Sequence, residues 1–471
     1  MADENKKPEE TKSGAVKRLK ATATASAYQK EWFAGLKKRV EAGEDFGYLN
    51  ADVPMEVLRA MDIPFVVNQW WAAICGAKRM TRNYFGLLRD AGYRDDLCSY
   101  CATAFAESLD PDDHKVDEEG KPMGPWGGLP SPTIAITRLT CDCQGKIFEQ
   151  FAANHGADFY PMENTVARKV PLKWFEDIYD HWEEFYDKDR LDSAVDELKQ
   201  MIRFLEMKTG KLFDINELEK VMNLINEQEG YYRKTRDLIA QCHPVPVTVV
   251  DTINAVMQAQ WQRGTQWAVD HAKSLYEEVK ELADKGVAAV PNEKYRLMWI
   301  GRGIWHDFEF YQSFEEKYGA VFVWSMYLAM GADAYIRNNV EEDPLRCLAA
   351  RYIGMEDFLH MPPWNSQWYL NQVEQNDIDG VVYMVPGNCN IFVPFLVSVA
   401  NVTGVDPVAM AQLGNMACGL GSGLTPVAAT TLFVTQECDV DFPLVLKRNI
   451  LPIFAAAAAG IISVFLFKVA M

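Results

Sequence analysis

The chain predicts an α/β fold built on parallel sheets, and three observations carry that reading. Short apolar runs recur at Ile63–Val67, Thr133–Thr137, Arg296–Ile300, Ala320–Trp324 and Gly380–Met384. Segments with apolar residues at helical spacing separate them, as βαβ units require. Cysteines then close apolar runs: Cys98 in Asp96-Leu-Cys-Ser-Tyr100, Cys141 beyond Thr133–Thr137, and Cys389 beyond Val381–Val385. In open α/β sheets the residues just past the carboxyl ends of the strands form the ligand crevice.

Taken in order, residues 1–25 are rich in Lys and Glu and read as disordered or loosely helical. Residues 28–44 read as an amphipathic helix with Trp32, Phe33, Leu36 and Val40 on one stripe. Ile63–Val67 is a buried strand, Trp70–Arg94 a helix with a loop, and 110–132 a Gly/Pro-rich loop. Thr133–Thr137 is a strand, Lys146–His155 a helix and Asp158–Tyr160 a third strand. Asp192–Lys208 and Ile215–Cys242 are helical, the second opened by Asp214 and Glu217 as a capping box. Strands resume at Arg296. The predicted organisation is an extension (1–27), a first α/β lobe (28–170), a helical region (171–290), a second α/β lobe (291–390) and an apolar tail (391–471).

At 471 residues the chain is long enough for two or three domains with ample core. Its formal charge of −19 argues against a nucleic-acid backbone as partner, while leaving room for a local basic pocket. Ten cysteines behind a polar start predict a reducing, cytoplasmic setting with free or metal-bound thiols. Residues 391–471 carry a net charge of only −1, with no charge between Pro407 and Gln436 or across Asn449–Phe467. The second stretch approaches the roughly 20 apolar residues of a spanning helix, so the tail is a candidate for membrane association.

Three cysteines delivered from distant parts of the chain suggest a soft-metal site, an iron–sulfur cluster with an open position. Cys101 and Cys143, close behind Cys98 and Cys141, stand beside these ligands or replace them; a four-thiolate zinc site is the rival, and it leaves Cys389 without a role. Cys75, Cys242, Cys347, Cys418 and Cys438 sit in apolar or helical contexts and read as structural. His306, after a strand end, is either a proton donor or a hydrogen-bonded loop histidine. Arg302, between two glycines, is either an anion-binding fork or an ordinary loop arginine. Trp70, Trp71, Trp299, Trp305 and Trp324 read as core, with Trp126 a candidate channel wall. With no Gly-x4-Gly-Lys-Ser/Thr loop the chain should not hydrolyse ATP itself; HExxH and a nucleophile elbow are also missing.

Several segments together resemble the benzoyl-CoA reductase/2-hydroxyacyl-CoA dehydratase family across about residues 30–390. They are Asp96–Tyr100, Gly120–Met123, Thr133–Thr137 leading to Cys141-Asp142, Lys146–Glu149, Glu293–Leu297, Asp343–Leu345 and Asp379–Val382 ending in Cys389-Asn390. The resemblance implies two flavodoxin-like lobes, a related second subunit, and a 4Fe–4S cluster on Cys98, Cys141 (alternate Cys143) and Cys389. It also implies a separate ATP-dependent iron–sulfur activator and an acyl-CoA substrate. The thioester carbonyl is then reduced to a ketyl radical under anaerobic conditions, for dehydration by a lyase or ring reduction by an oxidoreductase. The dehydratase class is the broader and is favoured.

After Asn390 that resemblance stops, which leaves the second lobe incomplete. Residues 391–471 instead resemble the C-terminal end of an anaerobic C4-dicarboxylate transporter. A fused or misjoined tail is preferred to a divergent lobe, which would keep strand–helix alternation. The other function classes are a membrane-associated transport or assembly protein and a zinc-stabilised binding module.

Overall fold

The computed structural model describes residues 19–94, 98–109, 124–163, 165, 174–334, 340–360 and 364–383. Cys389, Cys418, Cys438 and the whole tail 391–471 lie outside the described residues. The chain begins α1 (Lys20–Glu41), β1 (Gly47–Leu49), α2 (Met55–Ala60), β2 (Phe65–Val67), α3 (Asn68–Ala77), α4 (Thr81–Asp90) and α5 (Ser99–Ser108). Then come β3 (Ile134–Arg138), α6 (Asp142–His155), β4 (Asp158–Met162), α7 (Trp174–Phe185), α8 (Lys188–Thr209), α9 (Ile215–Gln241), α10 (Val249–Trp261) and α11 (Gln266–Asp284). The last group is β5 (Tyr295–Ile300), α12 (Glu309–Gln312), α13 (Glu315–Tyr318), β6 (Ala320–Ser325), α14 (Met326–Ala334), α15 (Pro344–His360), α16 (Trp364–Gln375) and β7 (Gly380–Tyr383).

This is a mixed α/β architecture, mostly helical, with two parallel sheets. The first has the order β2-β1-β3-β4 and the second β6-β5-β7. Parallel sheets need cover on both faces, so their strands read as continuous apolar runs rather than alternating ones. Strands β1, β2, β3 and β6 are buried at every residue, and the edge strand β4 is partly open. The middle helices join the two sheets, since α10 packs on both α3 and β6 while α9 lies along α11 and α14. Among the described residues no helix is long and apolar enough to cross a membrane.

Four differences from the sequence reading have physical causes. Strand β1, inside the first sheet, is only Gly47-Tyr48-Leu49, too short to show a period. It is held by pairing on both sides, with Gly47 opposite Phe65 and Ile134. A Cβ at Gly47 would stand 2.9 Å from the Leu58 side chain, so the glycine lets α2 close onto the strand. Helix α1 starts at Lys20 rather than residue 28, because the Lys20 and Ala21 amides donate to the Glu278 carboxylate at 2.8 and 3.0 Å. That cap comes from α11 and leaves no local trace. Asp214 does cap α9, but it accepts from the Asn216 amide at 2.9 Å while Glu217 pairs with Lys220 at 2.6 Å. A capping carboxylate at the third helical position stands instead at the start of α10, where Asp251 accepts from the Thr248 amide at 3.4 Å.

Gly319 closes α13 in the left-handed region (φ 61°), and a Cβ there would meet the Asn292 backbone oxygen at 2.2 Å. Its carbonyl accepts from the Lys294 and Tyr295 amides at 2.8 and 3.1 Å, which aligns the start of β5 with β6. Gly319→Ala is expected to destabilise by at least about 1–3 kcal/mol from the left-handed backbone alone. A thermal melt of the variant measures it, and an unchanged midpoint would show that β5 can shift freely.

Candidate metal centre

Cys98 and Cys141 occupy equivalent positions: each is the N-cap residue of a helix, of α5 and of α6. Those helices pack against one another. The unpaired amides and positive end of a helix favour a thiolate, so two sulfurs placed this way are favoured in their ligand form. Cys141 arrives as expected, just past the carboxyl end of β3. Residues 95–97, immediately before Cys98, lie outside the described residues; the start of α5 positions Cys98.

Cys101 is buried one turn into α5, Cys98 is exposed, and Cys141 and Cys143 are half-buried. The Cys101 thiol is the hydrogen-bonding neighbour of the Cys98 and Cys141 sulfurs. That neighbour is the main reason the Cys98 thiol is lowered to about 5, helped by the Arg302 guanidinium and the Cys101 and Tyr100 amides. The Cys141 thiol is lowered to about 6, again chiefly by Cys101 and then by the Gln144 and Cys143 amides. Cys101 itself is pushed far up, first by hydrogen bonding to the Cys141 and Cys98 sulfurs and then by burial and the like charge beside it. Burial raises Cys143 as well. The four thiols divide into two held low, Cys98 and Cys141, and two held high, Cys101 and Cys143.

The second sheet closes the site. Arg302 follows the carboxyl end of β5 and places Nη1 3.4 Å from the Cys98 sulfur. Its guanidinium lies over the Tyr100 ring, 4.8 Å from the centroid. The loop 301–308 is fixed by the Tyr327 hydroxyl, which accepts from the Gly303 amide at 2.6 Å, and by Trp299 Nε1, which donates to the Arg302 carbonyl at 3.0 Å. Trp305 Nε1 donates to the Tyr100 hydroxyl, and Cβ of Trp305 faces Gly76 of α3. The carboxyl ends of both sheets therefore meet at the cysteines. The sequence left Arg302 as either an anion fork or an ordinary loop arginine; the partner it finds is a sulfur. The pairing was not visible, because residues 98 and 302 belong to different sheets, although Cys-x-x-Cys at a helix start does put two thiols on one face.

The remaining candidates are less central. His306 is exposed, and its backbone carbonyl accepts from Arg79 Nη2 at 3.5 Å. Cys75 and Cys347 are buried and Cys242 is half-buried. Trp126, in the loop where the sequence made it a candidate channel wall, packs into an aromatic group with Phe33 and Trp70, centroids 5.8 and 5.9 Å away. Cys389 lies outside the described residues. Among the described residues no three Cys, His, Asp or Glu side chains converge to hold a single metal ion. A cavity of about 310 Å³ lined by Trp32, Arg39, Arg59 and Phe65 lies at the amino-terminal end of β2, the edge away from the cysteines.

A thiolate-lined crevice between two parallel sheets defines a class of α/β proteins with soft donors at a strand-end site. Comparison with known proteins makes the class specific. Residues 50–395 match the family described as 2-hydroxyglutaryl-CoA dehydratase, D-component. The (R)-2-hydroxyisocaproyl-CoA dehydratase alpha subunit of Clostridioides difficile is 22% identical over 364 residues, covering 77% of this chain and 81% of that protein. The (R)-phenyllactyl-CoA dehydratase alpha subunit of Clostridium sporogenes is 24% identical over 376 residues, 76% of this chain and 81% of its own length. A benzoyl-CoA reductase subunit of Thauera aromatica is 25% identical over 391 residues, with shares of 77% and 82%. The chain belongs to the 2-hydroxyglutaryl-CoA dehydratase D-component family, a class of dehydratase and reductase enzymes. The family match ends at residue 395.

Proposed function

We propose that this chain is the cluster-bearing subunit of a 2-hydroxyacyl-CoA dehydratase, with benzoyl-CoA reductase-type ring reduction as the alternative reaction. The ligands would be Cys98, Cys141 and Cys389, with Cys143 as alternate for the second place. The observation that carries the proposal is the pair of N-cap cysteines, Cys98 and Cys141, the first of them 3.4 Å from Arg302 of the second sheet's loop, in a chain of this family. The donor chemistry fits: soft thiolates suit iron–sulfur clusters, and thiols with lowered pKa values load without strong base. When bound, a three-thiolate 4Fe–4S cluster supplies single low-potential electrons and one iron open to a substrate oxygen.

The chain's own residues prepare that site. The α5 and α6 amino termini orient the two sulfurs, Cys101 keeps its proton beside them, and Arg302 with Trp305 closes the second sheet's loop over Tyr100. His306, in that same loop, is the candidate proton donor. The two sheets with their helices would be the flavodoxin-like lobes. A related second subunit and an ATP-dependent activator would complete the system, since relatives of this chain are named as subunits.

The test is purification of the full chain without oxygen, followed by iron, sulfide and metal analysis with a visible spectrum. Iron and sulfide in equal amounts with a broad thiolate-to-iron absorption are expected. Stoichiometric zinc without iron would overturn the proposal and leave a four-thiolate binding module in its place.

A further inference from the structure

The Arg302 contact is the one feature at the site whose charge the proposed ligand set does not need. Its guanidinium stands 3.4 Å from the Cys98 sulfur and 4.8 Å above the Tyr100 ring centroid. Tyr100 is in turn held by Trp305 and Tyr327, and Tyr327 accepts from the Gly303 amide next to Arg302. A planar, permanently charged fork stacked on a fixed ring keeps its position far better than a lysine would. It does so from the second sheet, while the sulfur it touches belongs to the first.

We infer that Arg302 is a positioning residue that sets the reduction potential of a cluster bound through Cys98. The inference rests on the cluster proposal above. Adding an electron to a thiolate-bound cluster adds negative charge, and a fixed cation beside a ligand sulfur stabilises that reduced state. Hydrogen bonds to cluster sulfurs and local net charge are the protein's usual means of moving such potentials. Arg302 thus makes the cluster easier to reduce. Because the contact crosses between the sheets, it also ties the potential to how closely the loop 301–308 seats on α5: opening the crevice would withdraw the charge.

The test compares the full chain with Arg302→Gln and Arg302→Lys, all purified anaerobically, by redox titration read from the visible or paramagnetic signal. Iron and sulfide are measured in the same samples. Arg302→Gln should shift the reduction equilibrium about tenfold towards the oxidised form, which is about 59 mV lower for a one-electron couple. Arg302→Lys should shift it the same way by less, since the charge remains but the stacking does not. An Arg302→Gln protein with wild-type iron and an unchanged potential overturns the inference and leaves the cluster proposal standing. Absence of iron from the wild-type chain defeats both. Should Arg302→Gln fail to load, Arg302→Lys decides, and a wild-type potential in that variant overturns the inference.

Discussion

Cys98→Ser and Cys141→Ser are each expected to strip the protein of iron and sulfide together and to take dehydratase or reductase activity to background. A serine hydroxyl at an N-cap can still accept from the helix amides, so α5 and α6 should form, but it is a hard and protonated donor where a soft thiolate is required. The loss is therefore of metal rather than of fold, and secondary structure should stay as in the wild type. Cys101→Ala is expected to fall between. It removes the hydrogen-bonding neighbour that lowers Cys98 and Cys141, a role of the kind whose loss costs about 10–100-fold in metal affinity. Cys75→Ser is the control: the residue is fully buried on α3, so the change can cost stability while iron per folded chain is unchanged. Wild-type iron in both Cys98→Ser and Cys141→Ser would show that these cysteines are not ligands. Iron lost only from Cys143→Ser, and not from Cys141→Ser, would exchange the second ligand for its alternate.

Acidification should act on the same pair. The sulfurs of Cys98 and Cys141 are lowered to about 5 and about 6, so the apo protein should take up metal readily at neutral pH. Loading should fall as the pH drops through that window, where protons compete for the ligands.

The fold was legible wherever burial leaves a local mark. Strands β3, β5, β6 and β7 are apolar runs of four to six residues, and each was placed from sequence to within a residue or two. What escaped is held by partners remote in the chain. Strand β1 exists through its neighbours on both sides, and the first turn of α1 through Glu278. At the site, the residue types and the crevice were readable, because cysteines near strand ends and helix starts are visible in the sequence. The Arg302 contact was not, since it depends on how two sheets more than a hundred residues apart are brought together. The apolar tail, its transporter likeness and Cys389 lie outside the described residues, and the family match ends within that region, at 395.

The largest expected loss of stability lies away from the cysteines. Glu56 on α2 and Arg263, just after α10, have fully buried side chains paired at 3.0 Å. The second Glu56 oxygen accepts from the Tyr352 hydroxyl of α15 at 2.7 Å, and Arg263 Nη2 donates to that same hydroxyl at 2.7 Å. Burial alone would raise the Glu56 carboxyl, but Arg263 and Arg351 outweigh it and hold the group below its ordinary value. A lowered carboxyl contributes stability above the unfolded pKa and loses it as the pH falls through the folded one, so this triad should weaken only under acid. Glu56→Ala strands a buried cation and is expected to cost about 3–5 kcal/mol. Replacing the triad together with apolar residues of similar volume should recover much of that, because a buried pair gains little over hydrophobic packing and costs heavily only when halved. Chemical denaturation followed by tryptophan fluorescence measures both variants, and a loss below about 1 kcal/mol for Glu56→Ala would mean the cation finds another partner or water. Iron per folded chain should not change in Glu56→Ala. The first-sheet crossover helix α2 and the second-sheet helix α15 are thus locked together by charge on one side of the molecule. On the other side Arg302 and Cys98 meet with no buried ion pair among the described residues to fix them.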